Sequence, residues 1–442
     1  MELDLLRFFQ ACNPSKTLDL AKPEDRNYYI DFSGVRGGKI IEALGRTITR
    51  LAPDDPTCQL FTGHIGCGKS TELLRLKANL EQQKFHVVYL QSSRDLDMVD
   101  VSISDILLAI ARSVSESLEA KGIKPKPGYF ANLFADIKDF LQTPIDLSGE
   151  AELSVGIARI TARTQESPKL REQLRQSLEP RVEGILRAIN EEILEPSIGE
   201  LKGRGYRGLV VIVDNLDRVA PRPATKERLL PEYLFIDRGP QLQRLNCHMV
   251  YTIPLSLIFS NEYQALKNRL GGGVAPKVLP MVPAQQRDGQ EDTQGMALLR
   301  QLVLARAFPH LDPQFRLASM SQVFDSPETL DRLCLISGGH VRNLLGLLYN
   351  CLQEEDPPLS RECLEHVIKG YRDDILLAIE KNEWELISQV VQQQVITGEK
   401  EYHTLLRSMF VFEYRDELGR WFGINPALSE TVKFQSLLAS AS

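Results

Sequence analysis

Two short stretches carry residue types that could do chemistry together: GHIGCGKST at residues 63–71 and VIVDNLDRV at residues 211–219. In the first, Gly63, Gly66, Gly68, Lys69 and Ser70 meet the spacing G-x-x-x-x-G-K-[ST]. Glycines there let the backbone turn tightly, so that its N–H groups point inward at phosphate oxygens, and the positive end of a following helix adds to the attraction. Lys69 would neutralise β and γ phosphates, and the Ser70 hydroxyl would ligate Mg2+. The expected phosphate contacts are Gly63, His64, Ile65, Gly66, Cys67, Gly68 and Lys69 in the loop, with Ser70 and Thr71 opening the helix.

The acidic stretch supplies what such a loop lacks. A metal held beside the phosphates needs a carboxylate at the end of an adjacent strand, and Asp214 stands there after the apolar run LVVIV. Hydrolysis further needs a group that orients and polarises water. Asn215 is an amide and accepts no proton, so Asp217 is the expected water-orienting carboxylate. Taken alone, Asp217 also fits a turn cap or a partner for Arg218.

These residues need a scaffold, and the periodicity supplies one. CQLFT (58–62) reads as a buried strand running into the loop, and Leu73, Leu74, Leu76 and Leu80 mark a helix after it. KFHVVYLQSS (84–93), the run ending at Asp214, CHMVYTIPL (247–255) and a segment around Lys277–Val282 are further strands. Their alternation with amphipathic helices predicts a parallel sheet covered on both faces. Thr252, near the end of the fourth strand, is placed to sense a γ-phosphate. Before the loop, YYIDFSGVRGGKIIEALGRTITRL gives an aromatic, extended lead-in and a helix with Ile40, Ile41, Leu44, Ile48 and Leu51 on one side.

The interval between Lys69 and Asp214 is longer than these elements require, so an insertion over about 122–200 is expected. In it, AELSVGIARI (151–160) alternates like a strand, and residues 168–199 read as helical. The arginines there are mixed with glutamates, the pattern of a solvated helix face. After a composition shift near 285–293 the chain reads as all-helical, then as helices followed by two strand-like runs flanking RDELGR, a hairpin signal that suggests a winged helix. The expected organisation is an N-terminal arm (1–25), a core (26–285), a helical lid (286–370) and a winged-helix-like domain (371–442).

Charge and cysteine usage narrow the classes. With 52 Lys and Arg against 59 Asp and Glu, the net charge of −7 creates no global attraction for nucleic acid or an anionic membrane. Residues 371–442 hold seven Lys and Arg against eleven Asp and Glu, a poor balance for contact with DNA phosphates. Seven dispersed cysteines without a Cys-x-x-Cys pair suggest a reducing cytoplasm. No basic, apolar leader opens the sequence, and no apolar run approaches the roughly 18–20 residues that span a bilayer.

Together these motifs resemble the AAA+ superclass of P-loop ATPases, above all the branch shared by origin-recognition initiators and STAND signalling ATPases, over nearly the whole chain. VIVDNLDR is similar to the Asp-Asp-Leu-Asp-Arg motif of KAP-type ATPases, with Asn215 in place of the second Asp. FSGVRGGKIIEAL looks like the hydrophobic-x-Gly-Arg-Glu motif near adenine, which puts Arg36 in the nucleotide site, although Gly37 and Gly38 depart from it. ISGGHVRNLLGLL resembles a sensor-2 helix, implying that Arg342 reaches the γ-phosphate, and Arg269 falls where a trans-acting arginine finger stands. The resemblance implies an α/β three-layer P-loop NTPase core with helical lid and winged-helix-like domain. It also implies ATP with Mg2+ as cofactors, and an ATP-driven molecular switch that self-associates or engages a protein partner. Two alternatives remain beside it. One is an initiator-like DNA-binding ATPase; the other, motivated by Asn215, is a nucleotide-binding scaffold with little hydrolysis. No guanine-selective Asn-Lys-x-Asp sequence accompanies the loop.

Overall fold

The computed structural model describes residues 3–125, 128–141 and 153–441. Strands β1 (Cys58–Gly63), β2 (Phe85–Gln91), β3 (Gly208–Asp214), β4 (His248–Thr252) and β5 (Lys277–Leu279) form one parallel sheet in the order β2-β3-β4-β1-β5. All seven residues of β3 are buried, as a strand covered on both faces requires. Its side chains divide by the period of two. Val210 and Ile212 pack with Leu73, Leu76 and Leu80 of the helix Lys69–Gln82, whereas Leu209, Val211 and Val213 join Ile106, Leu107 and Ile110 of the helix Ile103–Glu119. The result is the three-layer helix–sheet–helix arrangement expected from the sequence.

One expectation is corrected by the strand order. Asp214 does not end the strand next to β1, because β4 lies between β3 and β1. Periodicity identifies a buried strand but carries no information about its neighbour. The aligned register, with Phe61 opposite Thr252 and Val213 opposite Tyr251, still brings the glycine loop and both carboxylates to the carboxyl edge of the sheet.

A second correction concerns residues 151–160. Ala151 and Glu152 lie outside the described residues, and Leu153–Glu166 is a helix, not a strand. Leu153, Ile157 and Ile160 are buried at helical spacing, while Val155, which a strand would put on the face of Leu153 and Ile157, is 42% exposed. Leu51 also leaves its expected stripe. The helix Ile40–Arg46 passes into a π-turn over Thr47–Leu51, and the change of winding turns Leu51 out to 67% exposure while Ile48 stays buried.

The helices Thr293–Ala307, Pro327–Ile336, Val341–Glu354 and Arg361–Leu377 share a second core, into which Phe8 and Cys12 of the N-terminal segment insert. Beyond them, β6 (Val411–Asp416) and β7 (Gly419–Ile424) pair antiparallel from Val411–Ile424 to Asp416–Gly419 around the turn at Glu417 and Leu418. The hairpin lies against the core: Met281 N–H donates to the Glu413 carbonyl at 2.9 Å, and Phe412 packs with Phe61 and Leu279. No helix among the described residues is long and apolar enough to cross a membrane.

Candidate nucleotide-binding site

The loop after β1 is built on backbone that only glycine adopts cheaply. Gly68 has φ +104° at the start of the helix Lys69–Gln82. Gly66 has φ +90°, and a Cβ there would lie 2.6 Å from His340 Nε2. Lys69 is turned into the loop. Its Nζ donates to the carbonyls of Gly63 and His64, both at 2.7 Å, and pairs with Asp217 Oδ2 at 2.9 Å. Burial works against its charge, but the Asp217 carboxylate holds Lys69 above the ordinary lysine range.

Asp214 is fully buried at the end of β3. Tyr89 O–H donates to its Oδ2 at 2.6 Å, and Asn215 N–H to its Oδ1 at 2.7 Å. Burial raises its pKa, with Asp217 adding to the rise, against hydrogen bonds from Ser70 and Tyr89 that lower it. Ser70 and Asp214 thus meet, one hydroxyl and one carboxylate, the small protein contribution Mg2+ takes when phosphates and water complete its shell. Asn215 occupies left-handed backbone at φ +67°, a region Asn enters at small cost, so its identity answers to the turn as well as to chemistry. Asp217 is brought beside Lys69 by that turn, and its Oδ1 is buried without a hydrogen-bond partner among the described residues.

Thr252 ties the same turn to β4. Its Oγ1 accepts from Leu216 N–H at 3.0 Å and donates to the Val213 carbonyl at 3.3 Å, and it does not line the cleft. The position read as a phosphate sensor therefore holds the segment that carries Asp217. Arg36 is also drawn into the scaffold: Nε donates to the Pro280 carbonyl and a terminal nitrogen to the Cys67 carbonyl, both at 2.7 Å. It nevertheless lines the cleft.

That cleft lies between the loop, residues 14–18, residues 28–32, the acidic turn and the helix Val341–Glu354. Arg342 lies in its wall; its backbone N–H donates to the Gly66 carbonyl at 3.2 Å, and among the described residues no hydrogen bond or ion pair engages its guanidinium. Burial, reinforced by Arg218, lowers its pKa. Beside it, His340 Nδ1 accepts from Asn343 N–H, so Nε2 carries the proton that it donates to the Ile65 carbonyl at 2.8 Å. Arg269 is not brought here. It is 45% exposed at the side chain and pairs with Asp237 at 3.6 Å.

Sequence reasoning missed the outer walls. Lys16, Arg218 and Arg306 join Arg36, Lys69 and Arg342, so that six cations face two acids, Glu72 and Asp217, in a chain that is acidic overall. Tyr28, Ile30, Phe32, Leu302 and Leu345 add an apolar side. The aromatic run YYIDF was the available signal; nothing local connects residues 14–18 or Arg306 to the loop. His64 and Gly63 do not line this cleft. They line a second cavity behind the loop, which Asp217 also touches.

Comparison with protein-family models finds no match, and neither does comparison with curated proteins. Among solved structures, the chain is similar to the Walker-type ATPase of Pyrococcus abyssi at 11% identity and a TM-score of 0.43, over 93% of this chain and 99% of that one. It is also similar to the Aeropyrum pernix ORC2 protein, solved in ADPNP and ADP complexes, at 12% identity and a TM-score of 0.38, over 91% of this chain and 94% of that one.

Proposed function

We propose that the chain is a P-loop ATPase that binds ATP with Mg2+ in this cleft and uses nucleotide occupancy to set the position of its helical lid. The observation that carries the reading is the meeting of Lys69, Ser70, Asp217 and Arg342 at one cleft with a cationic and an apolar wall, with Asp214 buried behind it and hydrogen-bonded to Ser70. Loop amides and Lys69 cradle the phosphates, and the apolar wall takes the base. Ser70 and Asp214 would hold Mg2+, which would supply neutralisation of phosphate charge. Lys69 exchanges Asp217 for the phosphates, which releases that carboxylate to orient water. Arg342 reaches the phosphates from the lid, and because its own backbone and His340 grip the loop, nucleotide and lid position become one variable. Exposed Arg269 is free to serve a neighbouring copy once its contact with Asp237 opens.

Titration calorimetry with ATP and Mg2+ tests the assignment. Lys69→Ala is expected to abolish binding; unchanged affinity would remove the phosphate site. The buried Lys69–Asp217 pair also favours slow turnover, since it keeps the water-orienting group engaged. Phosphate release from wild type at the background rate, equal to that of Asp217→Asn, would reduce the protein to a nucleotide-binding scaffold.

A further inference from the structure

The phosphate loop is held at three consecutive residues from two outside elements. From the lid, His340 Nε2–H donates to the Ile65 carbonyl and Arg342 N–H to the Gly66 carbonyl. From the C-terminal hairpin, the backbone N–H of Glu413 in β6 donates to His64 Nε2 at 2.9 Å. The two histidines share Phe412, which stands edge-on to His64 at 5.9 Å and stacks on His340 at 5.8 Å. The carbonyl of His64 is one of the two that orient Lys69. A continuous set of contacts therefore runs from β6 through His64 to Lys69 and Asp217.

An imidazole nitrogen that accepts an N–H carries no proton, so His64 is the neutral tautomer protonated at Nδ1. Burial first, then His340 and Lys69, push its pKa down to about 3, which keeps the ring neutral, while the Glu413 N–H selects the tautomer. The other group facing it is the Leu406 carbonyl, whereas the Glu413 carboxyl, pushed up to about 7 by burial, pairs with Arg420 at 2.7 Å.

We propose that His64 is a positioning residue through which the docked C-terminal hairpin raises nucleotide affinity, the Glu413 amide holding the first turn of the loop ready for phosphates. The inference rests on the reading of the cleft as an ATP site. A loop with three glycines at positive φ loses much conformational freedom when it closes on a ligand, and contacts that order it beforehand reduce that loss. The hairpin then acts on the nucleotide without touching it.

The test uses the full chain, with ATP affinity from calorimetry, KM and kcat from phosphate release, and exchange of the Glu413 amide from hydrogen–deuterium measurements. His64→Ala is expected to weaken ATP binding and raise KM about tenfold, with kcat changed less than twofold and faster exchange at Glu413. His64→Gln, whose side-chain oxygen can accept the same N–H, is expected to restore affinity. Equal or tighter binding by His64→Ala, or weakening that His64→Gln does not restore, overturns the proposal. Should His64→Ala fail to fold, wild type decides: coupling is reciprocal, so ATP must slow exchange at Glu413, and unchanged exchange overturns it. Failure of the ATP reading looks different, because wild type would then bind no more ATP than Lys69→Ala.

Discussion

The Lys69–Asp217 pair makes a prediction whose sign is unusual for an active-site substitution. Its N–O distance is 2.9 Å, and the two side chains are 5% and 4% exposed. Removing one member of a buried pair typically costs about 3–5 kcal/mol, because the remaining charge is left uncompensated. In Asp217→Asn the amide oxygen and the carbonyls of Gly63 and His64, both at 2.7 Å, still face the ammonium, which points to the lower end, about 3 kcal/mol. That cost falls on the nucleotide-free protein. With ATP bound, the phosphates replace Asp217 and the cost disappears, so it returns as affinity, roughly a hundredfold tighter binding. Calorimetry on wild type and Asp217→Asn reads the ratio directly, and thermal denaturation should show a lower midpoint without nucleotide and a larger rise on adding it. Phosphate release should fall at the same time. Unchanged or weaker ATP binding together with an unchanged midpoint would refute the idea that Asp217 competes with phosphates for Lys69.

Three further outcomes follow from named contacts. Arg342→Ala should weaken ATP binding or turnover by about ten- to hundredfold, the value of a hydrogen bond to a charged group, and phosphate-release kinetics with binding isotherms would check it. Gly66→Ala meets both a positive φ and His340 Nε2, so it should destabilise the fold by about 1–3 kcal/mol and weaken ATP binding, measured by denaturation and calorimetry. Buried neutral His64, with its pKa near 3 against about 6.5 unfolded, binds no proton in the folded state where the unfolded chain does. Its contribution to stability is therefore complete above pH ~6.5 and declines as pH falls towards 3, by about 1.4 kcal/mol per pH unit. Stability curves of wild type and His64→Gln should differ by that slope below pH ~6; parallel curves would count against a neutral, hydrogen-bonded His64.

The chain's local chemistry is written in its sequence. Glycine spacing, the lysine and serine, and an apolar run ending in carboxylates depend only on neighbours in the chain, and so the loop, strands β1 to β5 and the hairpin turn could be read directly. Burial is not local. Leu153, Val155 and Ile157 fit a strand pattern while Leu153, Ile157 and Ile160 fit a helix pattern, and only packing against the helix Ile103–Glu119 decides for the helix. Asn215 reads as a missing carboxylate until its left-handed backbone is seen. Strand order placed β4 between the loop strand and the acidic strand, and there Thr252 ties the acidic turn to the sheet. The cationic and aromatic walls from residues 14–32 and from the lid, like the hairpin amide on His64, join segments hundreds of positions apart. Sequence determined which groups could hold a nucleotide; tertiary structure decided which already hold one another, because a buried donor or charge takes whatever partner the fold delivers.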